Sequence, residues 1–88
     1  MTNYEKAKYL LKNGVAREHY TFKKSGYIII DLGGEYVGYI SPFCKCVEVS
    51  SGGIHIGYGN IDLDKMMVLD NSNRHRYDRP IKKWAVEK

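Results

Sequence analysis

Two cysteines, Cys44 and Cys46, stand two residues apart, and His55 and Glu48 come near them if the segments carrying them pair as adjacent strands. Thiolate and imidazole are favoured zinc ligands, so Cys44, Cys46 and His55 are the metal candidates of this chain. A structural zinc site wants four ligands, usually as two close pairs, and only one C-x-C pair is present. Adding Glu48 gives a Cys-Cys-His-Glu set that is chemically possible but uncommon. The expectation is therefore no metal and no cofactor. The two thiols are read as small, buried, reduced groups facing glycines on the next strand, with no disulfide between them. Glu48 and His55 as cross-strand neighbours have the chemistry of an acid/base pair. No nucleophile or oxyanion motif accompanies them, so they are read as an exposed ion pair worth under about 1 kcal/mol.

Gly57-Tyr58-Gly59 places one ring between two residues without side chains, a pattern able to present that ring to a base or another flat ligand. It does not fit the RNA-recognition strand, which needs a basic residue before the triplet and aromatics after it. The G-x-G lacks the third glycine and following helix of a dinucleotide fingerprint. Asp62-x-Asp64 lacks the glycine and terminal glutamate of a calcium loop. Neither a Walker lysine loop nor a G-x-S-x-G elbow is present.

The richest segment runs from Arg74 to Trp84, where Arg74, Arg76, Arg79, Lys82 and Lys83 are interleaved with Tyr77 and Trp84. Arginine pairs with phosphates and stacks on rings, and aromatics add stacking. The same residue types dominate protein interfaces. Fourteen basic and ten acidic residues give the chain a net charge of +4. Residues 74–83 hold five of those cations against Asp78 alone, so the remaining body carries nine of each sign. The charge pattern is a neutral domain with a basic, aromatic C-terminal flank (74–88). Five cations suffice for weak, salt-sensitive phosphate binding, not for sequence readout.

The elements that position these groups follow from periodicity. Thr2-Asn3-Tyr4-Glu5 is a capping box, and Tyr4, Ala7, Leu10 and Leu11 form a helical apolar stripe. Gly14 supplies a left-handed stop, so the helix is expected over 2–13. Within 15–69 the period becomes two, and turn residues recur at short spacing, as in an antiparallel meander. Strands are expected at 16–23, 27–32, 35–40, 43–49, 54–59 and 65–69. For the last, a short helix capped by Asp62 is the competing reading. A two-residue turn at Gly33-Gly34 would set Leu32 against Glu35, Ile30 against Val37 and Ile28 against Tyr39. A four-residue turn at 50–53 would set Val49 against Ile54, Val47 against Ile56 and Glu48 against His55, with Cys46 and Cys44 facing Gly57 and Gly59. Trp84 is expected to dock the tail, as a short helix or an edge strand.

At 88 residues the chain is one small domain, 1–88, with 43% hydrophobic and 27% charged residues. A radius of gyration of roughly 12 Å is expected. No apolar run reaches the roughly 18 residues of a membrane span, and the start lacks the order of a signal peptide, so a soluble, cytoplasmic protein is expected. The fold class expected is α+β: one N-terminal helix packed on a five- to six-stranded antiparallel meander sheet, curled toward a partial barrel. There are 8 tyrosines against 2 phenylalanines and 1 tryptophan, and tyrosine suits half-exposed sheet faces and recognition surfaces alike.

The function expected is that of a small non-enzymatic binding protein that occupies a macromolecular partner's surface, with a protein partner foremost and no membrane. Its contact residues are Arg74, Arg76, Tyr77, Arg79, Lys82, Lys83, Trp84 and Tyr58. In general style the chain resembles the short accessory proteins of bacteriophages and mobile elements. That resemblance implies a viral protein that inhibits a host or defence protein. The first alternative is direct nucleic-acid binding through 74–84. The second is a homo-oligomer holding a nucleotide-like ligand among Tyr58, Tyr36 and arginines.

Overall fold

The computed structural model describes residues 1–18, 26–72 and 78–83. Helix α1 spans Asn3–Lys12. Thr2 Oγ1 accepts the Glu5 amide at 3.1 Å while Glu5 Oε1 accepts the Thr2 amide at 2.8 Å, the reciprocal box expected. The Thr2 backbone amide first, and the Thr2 side chain after it, draw the Glu5 carboxyl below its ordinary pKa. Gly14 ends the helix at φ +75°. Ala7 and Leu10 are the buried residues of its inner face.

Among the described residues seven strands follow: β1 (Arg17–Glu18), β2 (Ile28–Asp31), β3 (Tyr36–Ile40), β4 (Val47–Ser51), β5 (Ile54–Asp62), β6 (Met67–Asp70) and β7 (Arg79–Pro80). Each pairs antiparallel with its sequence neighbour, so the sheet is an open meander in the order β1 to β7. The α+β class stands, and the expected count of five to six strands becomes seven. The extra strand is β7, two residues of the basic flank that form an edge, where Pro80 costs no ladder bond. The C-terminal segment is anchored by Ile81, only 8% exposed, and its amide donates to the Met66 carbonyl at 2.8 Å. Trp84, read from sequence as the docking residue, lies outside the described residues, as does the end of the first expected strand beyond residue 18. The Cα radius of gyration is 11.8 Å.

Both predicted hairpin registers are corrected. At the first, Ile28 pairs with Ile40, Ile29 with Tyr39, Ile30 with Gly38 and Asp31 with Val37. The Tyr36 amide donates to the Gly33 carbonyl and the Leu32 amide to the Tyr36 carbonyl, both at 3.0 Å, so the loop holds three residues, 33–35. One extra loop residue moves the partner strand's whole inward set to its other face. Gly38 now lies over the core, where an added Cβ would come within 2.8 Å of Val47 Cγ1. Val37 and Tyr39 turn to the outer face.

At the second hairpin the turn shrinks to Gly52-Gly53, with φ +57° and +86°, the two left-handed positions a two-residue turn needs. Ser51 pairs with Ile54 and Ser50 with His55. A bulge then shifts the register, giving Val49–Gly57, Glu48–Tyr58 and Val47–Gly59. The fourth strand begins at Val47, not at Phe43. The Cys44 amide closes a tight turn onto the Ser41 carbonyl at 3.1 Å, behind Pro42. Residues 43–46 are thereby spent on a loop. The segment after β5 is a strand, as preferred, although it starts two residues late. Asp62 still caps, but only a turn: its carboxylate accepts the Lys65 amide at 3.1 Å.

The helix packs on one face of the sheet, where Leu10, Ile30, Leu32, Val47, Ile61 and Val68 are all nearly or fully buried. Asn3 and Lys6 tie α1 to β5: Asn3 Oδ1 accepts the Ile61 amide at 2.7 Å, and Lys6 Nζ donates to the Ile61 carbonyl at 2.9 Å. Tyr4 O–H donates to the Gly26 carbonyl at 2.8 Å. Among the described residues, no helix is long and apolar enough to cross a membrane.

A candidate binding groove beside the fifth strand

The cysteines do not face glycines. Val49 and Val47 hold the positions opposite Gly57 and Gly59. Cys44 is exposed and Cys46 half-buried, both as free thiols. The reading of two buried thiols is corrected because the loop at 41–46 never joins the ladder. Ser41 Oγ donates to Cys44 Sγ at 3.0 Å, and Asn71 Nδ2 donates to Cys46 Sγ at 3.1 Å. Among the described residues, no three His, Cys, Asp or Glu side chains converge as a metal site.

Glu48 and His55 do meet, although the bulge makes them diagonal. His55 Nδ1 lies 3.1 Å from Glu48 Oε1, with the two side chains 39% and 46% exposed. At such exposure the pair is worth under about 1 kcal/mol. The His55 ring in turn contacts the Tyr58 ring at 4.7 Å between centroids, tilted by 60°. Glu48, His55 and Tyr58 therefore form a connected row on the sheet face opposite the helix.

Glu48 and Tyr58 of that row border a groove of about 630 Å³. One side is lined by Glu48, Ile56 and Tyr58, the other by Cys44, Cys46 and Asn71. Tyr58 is 54% exposed, a large ring left in solvent. The far side is fixed by a relay of carboxamides that the sequence did not reveal. Asn3 Nδ2 donates to the Lys45 carbonyl and to Asn60 Oδ1, each at 2.7 Å. Asn60 Nδ2 donates to Asn71 Oδ1, and the Asn71 amide donates to the Tyr58 carbonyl at 3.0 Å. Asparagine has no periodicity that marks it as a positioning residue, and these three are separated by 57 and 11 positions. Also in the lining, Asp70 Oδ2 accepts the Ser72 hydroxyl at 2.7 Å.

A second groove of about 660 Å³ adjoins the first through Cys44 and Lys45 and is bordered by Met1, Tyr4 and Phe43. Phe43 is 91% exposed. Sequence reading placed Phe43 inside a strand and so missed it as a surface ring.

Of the contact residues expected from sequence, Arg74, Arg76, Tyr77 and Trp84 lie outside the described residues. Arg79 sits with its guanidinium carbon 3.6 Å from the centroid of the Tyr36 ring. The Lys82 amide donates to the Asp31 carbonyl at 2.9 Å, forming an isolated bridge, while Lys83 is exposed. Tyr36 packs against the helix-side core, whereas Tyr58 pairs with Glu48 on the other face. Within one chain the two tyrosines do not share a site.

No protein-family model, no curated protein and no solved structure matches this chain.

Proposed function

We propose that this chain is a small non-enzymatic binding protein that acts by occupying the surface of a protein partner. The observation that carries the reading is the outer groove with its exposed ring, Tyr58, and the adjoining groove bordered by the exposed Phe43. Exposed apolar surface rimmed by polar groups commonly marks an interaction site or a ligand groove. Aromatic anchors beside preformed grooves are the usual centres of protein interfaces. In the sequence, the basic flank begins at Arg74, two positions after Ser72, which lines the groove. An inhibitor of a host or defence protein, of viral or mobile-element origin and acting in the cytoplasm, fits a surface-blocking module of this size. The Asp31–Lys82 bridge supports a sheet curled toward a partial barrel.

A protein partner is favoured over nucleic acid because Glu48 and Asp70 line the groove and Arg79 is already stacked on Tyr36. Carboxylates repel phosphate, and a cation held on a ring is less available to it. The test is affinity capture from host cells, with and without nuclease, using the wild-type chain and a Phe43→Ala, Tyr58→Ala double variant. A stoichiometric protein that survives nuclease and is lost with the double variant supports the reading. Capture that disappears with nuclease, or that ignores both rings, overturns it.

A further inference from the structure

We infer that the Tyr58 groove seats an arginine side chain of the protein partner. The inference rests on the reading above and names the group that fills the site. Tyr58 and Glu48 are direct ladder partners, so an exposed ring and a carboxylate stand side by side on one sheet face. His55 engages Glu48 through Oε1, and the Glu48 side chain remains half exposed. The contact between His55 and Tyr58 is tilted, not stacked, and leaves ring surface for another group. The groove's charged lining is Glu48 and Asp70 against Lys45, an excess of negative charge. Asp70 is only 8% exposed and already accepts two bonds from Ser72, so Glu48 is the carboxylate within reach of a ligand.

An aromatic face beside a carboxylate selects a cation, and a planar one above a spherical one. Guanidinium stacks on the ring while its N–H fork meets the carboxylate, which an ammonium cannot do from one position. The chain already contains this pairing, with the Arg79 guanidinium 3.6 Å from the Tyr36 centroid. The groove repeats the ring and adds the carboxylate, without an arginine of its own among the described residues. Phosphate is opposed by the same two carboxylates, and a purely apolar side chain would desolvate the Glu48 carboxylate without adding a bond to it.

The test is a nitrogen-15 NMR titration of the full chain with the peptide acetyl-Gly-Arg-Gly-amide, beside its lysine and citrulline counterparts. Citrulline keeps the planar shape and removes the charge. The expected result is shifts at the Glu48, Tyr58 and Asn71 amides, with arginine bound about tenfold more tightly than citrulline and more tightly than lysine. Tyr58→Ala and Glu48→Gln should each weaken the arginine peptide by roughly three- to tenfold. Equal binding of arginine and citrulline, shifts elsewhere, or indifference to Glu48→Gln would overturn the inference. So would inorganic phosphate moving the same amides, or those amides moving on dilution of the chain alone, which would assign the groove to a second copy. Because the peptide stands in for the partner, this outcome is independent of the capture experiment. A failed titration with successful capture removes the arginine and leaves the protein partner; the reverse removes the partner reading alone.

Discussion

Replacing Asn3 by alanine should cost this domain about 2 kcal/mol, although the residue sits at the exposed start of a helix where most substitutions are nearly silent. The figure comes from three hydrogen bonds. Asn3 donates to the Lys45 carbonyl and to Asn60, and accepts the Ile61 amide, all at 2.7 Å. A net hydrogen bond is worth roughly 0.5–1.5 kcal/mol, with the low end proper to exposed pairs. The first two bonds are exposed and the third is part-buried. Alanine also leaves the Ile61 amide in need of a new acceptor. For a domain of this size each kcal/mol moves the midpoint by about 4–8 °C, so a fall of roughly 8–16 °C is expected in a thermal melt followed by circular dichroism. Amide exchange localises the effect: the Ile61 amide should lose protection in Asn3→Ala and keep it in Asn3→Asp, which retains the acceptor oxygen. Because Asn3 heads the relay to Asn71, the Tyr58 groove should loosen as well, read as shifts at the Asn71 and Tyr58 amides. A midpoint within about 2 °C of the parent would refute this reasoning, since it would make the Asn3 bonds replaceable by water at no loss.

Other substitutions test separate parts of the fold. Gly59→Ala should destabilise by about 1–3 kcal/mol in urea, because the new methyl would lie 2.6 Å from Val68 Cγ1 and 2.8 Å from the Leu69 carbonyl oxygen, a backbone atom that cannot step aside. Gly38→Ala should cost less, since its nearest obstacle is the Val47 side chain at 2.8 Å; equal costs would count against the distinction. Glu5→Gln should flatten the acid limb of stability against pH. The Glu5 pKa is lowered in the folded chain, so its contribution is present above the ordinary carboxylate range and lost as pH falls through the depressed value; an unchanged acid limb would contradict this. Arg79→Ala should free β7 and raise exchange at the Ile81 amide with little dependence on salt, because among the described residues the arginine is held by the Tyr36 ring; a strongly salt-dependent effect would point to a carboxylate partner instead.

The helix was legible from sequence because everything that defines it is local. The Thr2–Glu5 box, the Ala7–Leu10 face and the Gly14 stop act within a few residues of one another. The antiparallel meander was legible for a related reason: alternation and recurrent turn residues favour pairing between sequence neighbours. Register was not. It depends on how many residues a loop consumes, and Gly33-Gly34-Glu35 took three while Gly52-Gly53 took two. Those loop lengths are set by which side chains then fall over the core: Gly38 fits beneath Val47, and Val37 would not.

The groove lies further from what a sequence can say. Its ring, Tyr58, stood out as an aromatic between glycines, and Glu48 with His55 stood out as a pair. The bulge that brings Tyr58 opposite Glu48, the turn that pulls Phe43 and the cysteines out of the ladder, and the Asn3–Asn60–Asn71 relay have no local signature. They join positions tens of residues apart, so their energies exist only once the sheet has formed. Sequence alone determined the α+β class, the capped helix and the neutral body with its cationic flank, because charge and capping are properties of adjacent residues. Tertiary structure alone decided which face each strand shows, and so which ring and which carboxylate meet in solvent, because a period of two turns every one-residue change in a loop into a change of face.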